Sequence, residues 1–178
     1  MTKQIERRVA ELEMRASGNA LEGYAAVFDG RTTIADFEEV IARGAFTASL
    51  GRNDILGLDD HDPTKLLART RNGSLKLAED SKGLHFEINL PDTSLARDIR
   101  ALASAGSIGG GSIGFNAERE TWSGKVRTLH AIDLREISVV SAWPAYPQTS
   151  VMARSALQQD CDLGRRIRIL QLEGNIQC

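Results

Sequence analysis

Cysteine, histidine and aromatic residues are scarce in this chain. Its 178 residues include two cysteines, three histidines and only 5% aromatic residues. Cys161 and Cys178 both fall near the C-terminus, without the paired spacing or neighbouring histidine that a zinc site needs. They read as free thiols of a reducing cytoplasm, not as a staple for the main domain. With only His61, His85 and His130 to supply imidazole, a metal site is poorly provided for, and no cofactor is expected. Long apolar runs are missing too, so no segment is suited to cross a bilayer. The opening stretch MTKQIERRVAELEMR is charged throughout and has no apolar signal-peptide core. Neither sign of charge dominates: 22 Lys and Arg against 24 Asp and Glu leave a formal net charge of -2. That balance argues against a dedicated nucleic-acid binder, which is normally basic. The cluster Arg154, Arg165, Arg166 and Arg168 fits the solvated face of a tail helix better than a nucleic-acid grip.

What is present is an ordinary globular composition, 42% hydrophobic and 26% charged. The length supports one domain with a real core. Three parts are expected: an arm over 1–18, a main domain over 19–154 and a helical tail over 155–178. The arm is polar and lacks strand signals. Strands are expected over 21–28, 74–78 and 84–90. In the last of these Leu84, Phe86, Ile88 and Leu90 share one face. The polar linker Glu79 to Gly83 suits a hairpin loop. Asp92, Thr93 and Ser94 are competent caps for a helix carrying Leu95, Ile99 and Leu102 on one face. A glycine-rich segment follows, then strands over 114–118, 126–131 and 134–140. Many short strands around one internal helix point to an α+β fold, mainly an antiparallel β-barrel with surrounding helices.

Three residues stand out chemically. Ser112 follows Gly109-Gly110-Gly111 and precedes Gly114. Glycines permit close approach of a substrate main chain and leave N–H groups free for an oxyanion, here around Gly111 to Ile113. Alone, the pattern more readily describes a flexible connection between helix and strand. His61 lies in Asp59-Asp60-His61-Asp62-Pro63, where a strand meets a turn. Histidine can take a proton from serine near neutral pH, although a lone turn histidine is more often a surface residue. Glu136 sits in the apolar strand Leu134 to Val140 and needs a partner there. Arg135 or Arg127 could supply a salt bridge. Otherwise Glu136 could orient a histidine, the third role in a triad.

An ordered set of blocks ties these residues together. They are Glu22-Gly23-Tyr24-Ala25-Ala26-Val27-Phe28; Phe37 to Ile41 with Gly44-Ala45-Phe46; His61-Asp62-Pro63 with Leu67-Ala68-Arg69-Thr70; Gly83-Leu84 leading to Leu90-Pro91-Asp92-Thr93; Gly111-Ser112-Ile113-Gly114-Phe115; and Leu134 to Val140, then Pro144-Ala145-Tyr146-Pro147. In order and spacing, from about Leu21 to Arg154, they resemble the prohead protease family of HK97-type phages. The resemblance implies a serine endopeptidase active in the host cytoplasm, inside an assembling prohead. Its substrates would be a scaffold protein or the N-terminal extension of the major capsid protein, and it would cut itself. A fold similar to the herpesvirus assembly proteases is implied. By position Ser112 matches the nucleophile, His61 the base and Glu136 the acidic member, with His130 as rival. No membrane or specific nucleic-acid partner is implied, and a homo-oligomer is left open. The alternative is a catalytically silent capsid-assembly module.

Overall fold

The structure, a computed structural model, describes residues 5–10, 14–17 and 19–140. The described strands form two sheets. In the larger sheet, β1 (Glu6–Ala10), β10 (Gly110–Ser123), β11 (Val126–Val140), β5 (Phe37–Ile41) and β4 (Arg31–Ile34) lie side by side in that order. Off this path, β6 (Leu56–Asp59) pairs with β11 and with β7 (Asp62–Arg69). The smaller sheet runs β2 (Met14–Ser17), β3 (Ala20–Val27), β9 (Gly83–Asn89), β8 (Leu75–Glu79). Two helices, α1 (Thr47–Arg52) and α2 (Ser94–Ser104), complete the α+β architecture.

Local sequence explains many of these elements. In β9, Leu84, Phe86 and Ile88 are buried in the core while Glu87 pairs with Lys76 at the surface. The β8–β9 loop closes on Asp80, whose carboxylate accepts from the N–H groups of Lys82 and Gly83. Gly83 is required by close approach: a Cβ there would meet the Ala26 carbonyl oxygen at 2.0 Å. Thr93 caps α2 by accepting from the Ala96 N–H at 3.2 Å, and Ala96 and Ile99 bury the inner face.

Three expectations need correction. The described strands form no closed barrel, and the sheet is not antiparallel throughout. One edge of the long β11 is lined in parallel by β5 and then β6, with Ala42 and Ala45 bonding to Leu129 and Ile132 between them. Short strands can be recognised locally, but neither closure nor strand direction is a local property. Second, residues expected in two strands over 126–131 and 134–140 form one continuous strand, as do the glycines from Gly110 onward with the residues after them. Gly111 fits here because a Cβ would meet the Tyr24 carbonyl oxygen of β3 at 2.7 Å. Third, the arm, whose polar sequence carries no strand signals, supplies β1 to one sheet and β2 to the other. The segment expected as a tail, over 155–178, lies outside the described residues, with both cysteines and the arginine cluster.

Candidate active site

The site is built on the β10–β11 ribbon. Ser112 lies opposite Ser138, and Gly114 opposite Glu136. Directly opposed residues of an antiparallel pair point to the same face. The intervening Ile113, Ile137 and Val139 fill the core on the other face. One side of the ribbon is therefore apolar and anchored, while the other gathers two serines, a carboxylate and a glycine. Gly114 leaves the room that the carboxylate occupies: a Cβ there would sit 2.3 Å from Glu136 Oε1.

His61 arrives from β6, whose parallel pairing with β11 ends at Val139 and Asp59. The chain then reverses in two residues, Asp60 and His61, between the paired Asp59 and Asp62. Both turn residues have positive φ, 49° and 60°. This is the backbone of a type I′ hairpin, which favours Asn-Gly. Holding a histidine there costs on the order of 1 kcal/mol or more. The turn is pinned to β11: the Asp60 N–H donates to the Val139 carbonyl at 2.9 Å, and the His61 N–H donates to Ser138 Oγ at 3.2 Å.

The result places His61 Nδ1 2.7 Å from Glu136 Oε1. Ser138 Oγ donates to the other carboxylate oxygen at 2.9 Å, and Arg7 Nε stands 3.6 Å from Oε1. Burial pushes the Glu136 carboxyl up. The hydrogen bond and charge of His61, the Ser138 hydroxyl and Arg7 outweigh it, holding the group below the usual carboxylate range. An ionised carboxylate only accepts, so the shared proton sits on Nδ1. In the neutral form of the ring, Nε2 is then a lone-pair acceptor. It is buried and makes no hydrogen bond among the described residues. An imidazole oriented on one nitrogen and open on the other can take a proton from a hydroxyl.

Ser112, also buried, stands beside Ser138. Its hydroxyl donates to the Arg8 carbonyl of β1 at 2.7 Å, not to His61. Residues Gly111 to Ile113 are paired with β1 on one side and β11 on the other, so this stretch belongs to two ladders. That differs from the free N–H groups expected of a glycine loop. His130 is engaged elsewhere, with Nε2 2.8 Å from Thr121 Oγ1 on the β10–β11 hairpin. His85 packs edge-on against Tyr24. The salt-bridge partners suggested for Glu136 are also committed elsewhere: Arg135 to Asp133, and Arg127 to Glu6, Glu39 and Glu120. Sequence reasoning misses Ser138 and Arg7, and it values Gly114 for backbone freedom, not for the room it leaves Glu136. Strand parity with Glu136 is a usable signal for Ser138, whereas Arg7 and Gly114 need the register.

The comparisons agree with the blocks seen in the sequence. The family described as caudovirus prohead serine protease matches residues 3–161. The prohead protease of Enterobacteria phage HK97 is 30% identical over 159 residues, covering 83% of this chain and 67% of that protein. No solved structure matches the chain. By the extent of these matches the chain belongs to the caudovirus prohead serine protease family.

Proposed function

We propose that Ser112 is the nucleophile, His61 the general base and Glu136 the residue that orients His61, in an endopeptidase that matures phage capsids. The observation that carries this reading is the His61–Glu136 contact of 2.7 Å, which leaves Nε2 without a partner one strand from the Ser112 hydroxyl. In the first step Ser112 Oγ adds to a peptide carbonyl carbon as its proton passes to His61 Nε2. Glu136 stabilises the imidazolium that forms. His61 then protonates the leaving amine, and water releases the acyl group by the reverse sequence.

The substrate class follows from the family: a scaffold protein, or the N-terminal extension of a major capsid protein, inside the prohead. Self-cleavage belongs to the same proposal, as does a fold relationship to the herpesvirus assembly proteases. Among the described residues no helix is long and apolar enough to cross a membrane. The test incubates purified chain with its neighbouring capsid and scaffold proteins and labels it with a fluorophosphonate. Label should map to Ser112, and Ser112→Ala should lower cleavage by about 10⁴-fold or more. Full cleavage by Ser112→Ala would remove Ser112 from the mechanism.

A further inference from the structure

The nucleophile candidate is covered by a strand of its own chain. Among the described residues β1 lies at the sheet edge, hydrogen-bonded as a strand to β10 alone, and it is five residues long. Val9 is paired with Ser112, and the carbonyl bonded to the Ser112 hydroxyl is that of Arg8. The Arg8 side chain runs to a buried acid: its Nε donates to Glu39 Oε1 at 2.6 Å and its Nη2 to Oε2 at 2.9 Å. Glu39 is only 3% exposed, and Arg127 bonds its second oxygen at 2.9 Å. Such a two-pronged match between guanidinium and carboxylate is specific for a cation, and a buried carboxylate deprived of it is strongly destabilised.

We infer that β1 occupies the place of a substrate: peptides dock as an antiparallel strand on β10, Glu39 selects arginine or lysine at the Arg8 position, and the Arg8–Val9 bond is the chain's own cleavage site. This rests on Ser112 being the nucleophile. Edge-strand addition supplies backbone hydrogen bonds for affinity, and alternate side chains supply specificity. Glu39 is here a specificity residue, remote from the reacting atoms. The resting arrangement is blocked because the Ser112 hydroxyl proton is held by the Arg8 carbonyl oxygen while His61 Nε2 goes without a partner. Cleavage follows when Oγ turns to His61 and adds to the Arg8 carbonyl carbon. The Oγ–C bond forms, the Arg8–Val9 C–N bond breaks, and the proton taken by His61 passes to the Val9 nitrogen. Water then frees the Arg8 carboxylate and restores the Ser112 hydroxyl.

The experiment follows the N-terminus of the purified full chain by mass spectrometry. In parallel it profiles peptides that differ only in the residue before the scissile bond. Wild type should accumulate a Val9 N-terminus that Ser112→Ala lacks; Arg8→Lys should keep it and Arg8→Leu should lose it. The ratio of kcat/KM for arginine over leucine peptides should fall by about 10²-fold in Glu39→Gln. Because the ratio is taken within one preparation, a partly unfolded variant does not distort it. If active wild type shows no Val9 terminus, or if Glu39→Gln leaves the ratio unchanged, the inference is overturned and the protease reading stands. If wild type cuts neither itself, nor any peptide, nor the capsid and scaffold proteins, the protease reading falls and takes the inference with it.

Discussion

Two charged clusters sit on the same β1–β10–β11 sheet and are finished differently. At one end of β11, Arg127 bonds Glu6, Glu39 and Glu120, while Arg8 bonds Glu6 and Glu39. The Glu6 carboxyl is pushed up by burial but held below its ordinary range by Arg127 and Arg8. Toward the other end, Glu136 is held by His61, Ser138 and Arg7, yet His61 keeps one ring nitrogen without a partner. The first cluster has interlocking partners across four strands, β1, β10, β11 and β5. The second stops one bond short, at the atom a proton-transfer reaction needs. Satisfaction of buried charge is what a fold requires, and an open valence in a well-held ring is what chemistry requires.

The sharpest way to break this comparison is to neutralise the proposed catalytic cluster while leaving its shape. Glu136→Gln keeps the volume and the Ser138 neighbour but removes the charge that fixes the proton on His61 Nδ1. Turnover of a cleaved substrate should fall by about 10⁴-fold, with the thermal unfolding midpoint close to wild type. His130→Ala, touching Thr121 on the hairpin, should be mild by the same assay. A reversed ranking would give the third role to His130. Arg127→Met makes the complementary cut. It strips a cation from three carboxylates, one of them buried, and should destabilise the chain by about 3–5 kcal/mol in denaturant titration. Below its melt that variant should still label at Ser112 with a fluorophosphonate. Loss of labelling in folded protein would show that the two clusters are not separable.

Legibility in the sequence divides along similar lines. Alternation in β9 and the Thr93 cap of α2 are local patterns, and both are legible in the order of residues alone. The glycines before Ser112 mislead because glycine marks two different things: a flexible turn, or a backbone pressed against a neighbour. Gly111 against Tyr24 is the second kind, which depends on a strand far away in the chain. β1 is hidden for another reason. Its period-two pattern is carried by Glu6 and Arg8, so the inward face is charged, and no apolar alternation announces it. Ser112, His61 and Glu136 can be named from motif blocks. What each side chain touches cannot, because Ser138, Gly114, Arg7 and Arg8 meet them only through register.

The smallest expected effect tests that register directly. Gly114→Ala adds one methyl group opposite Glu136 on the face of the proposed site. Its Cβ would lie 2.3 Å from Oε1, 2.5 Å from Cγ and 2.8 Å from Cδ of Glu136, closer than real Cβ atoms come. Gly114 is not among the residues with positive φ, so the backbone accepts alanine and the conflict is with the side chain alone. Glu136 cannot simply swing away, since His61 and Ser138 hold both oxygens. Overpacking of this kind costs about 1–3 kcal/mol. A displacement of the carboxylate by about 1 Å should lower kcat by roughly 10²-fold. The double variant separates the causes. Once Glu136→Gln has removed the orienting charge, adding Gly114→Ala should cost little further activity, because the group it displaces no longer serves His61. Fully multiplicative losses in the double variant would mean that Gly114 acts through something other than Glu136.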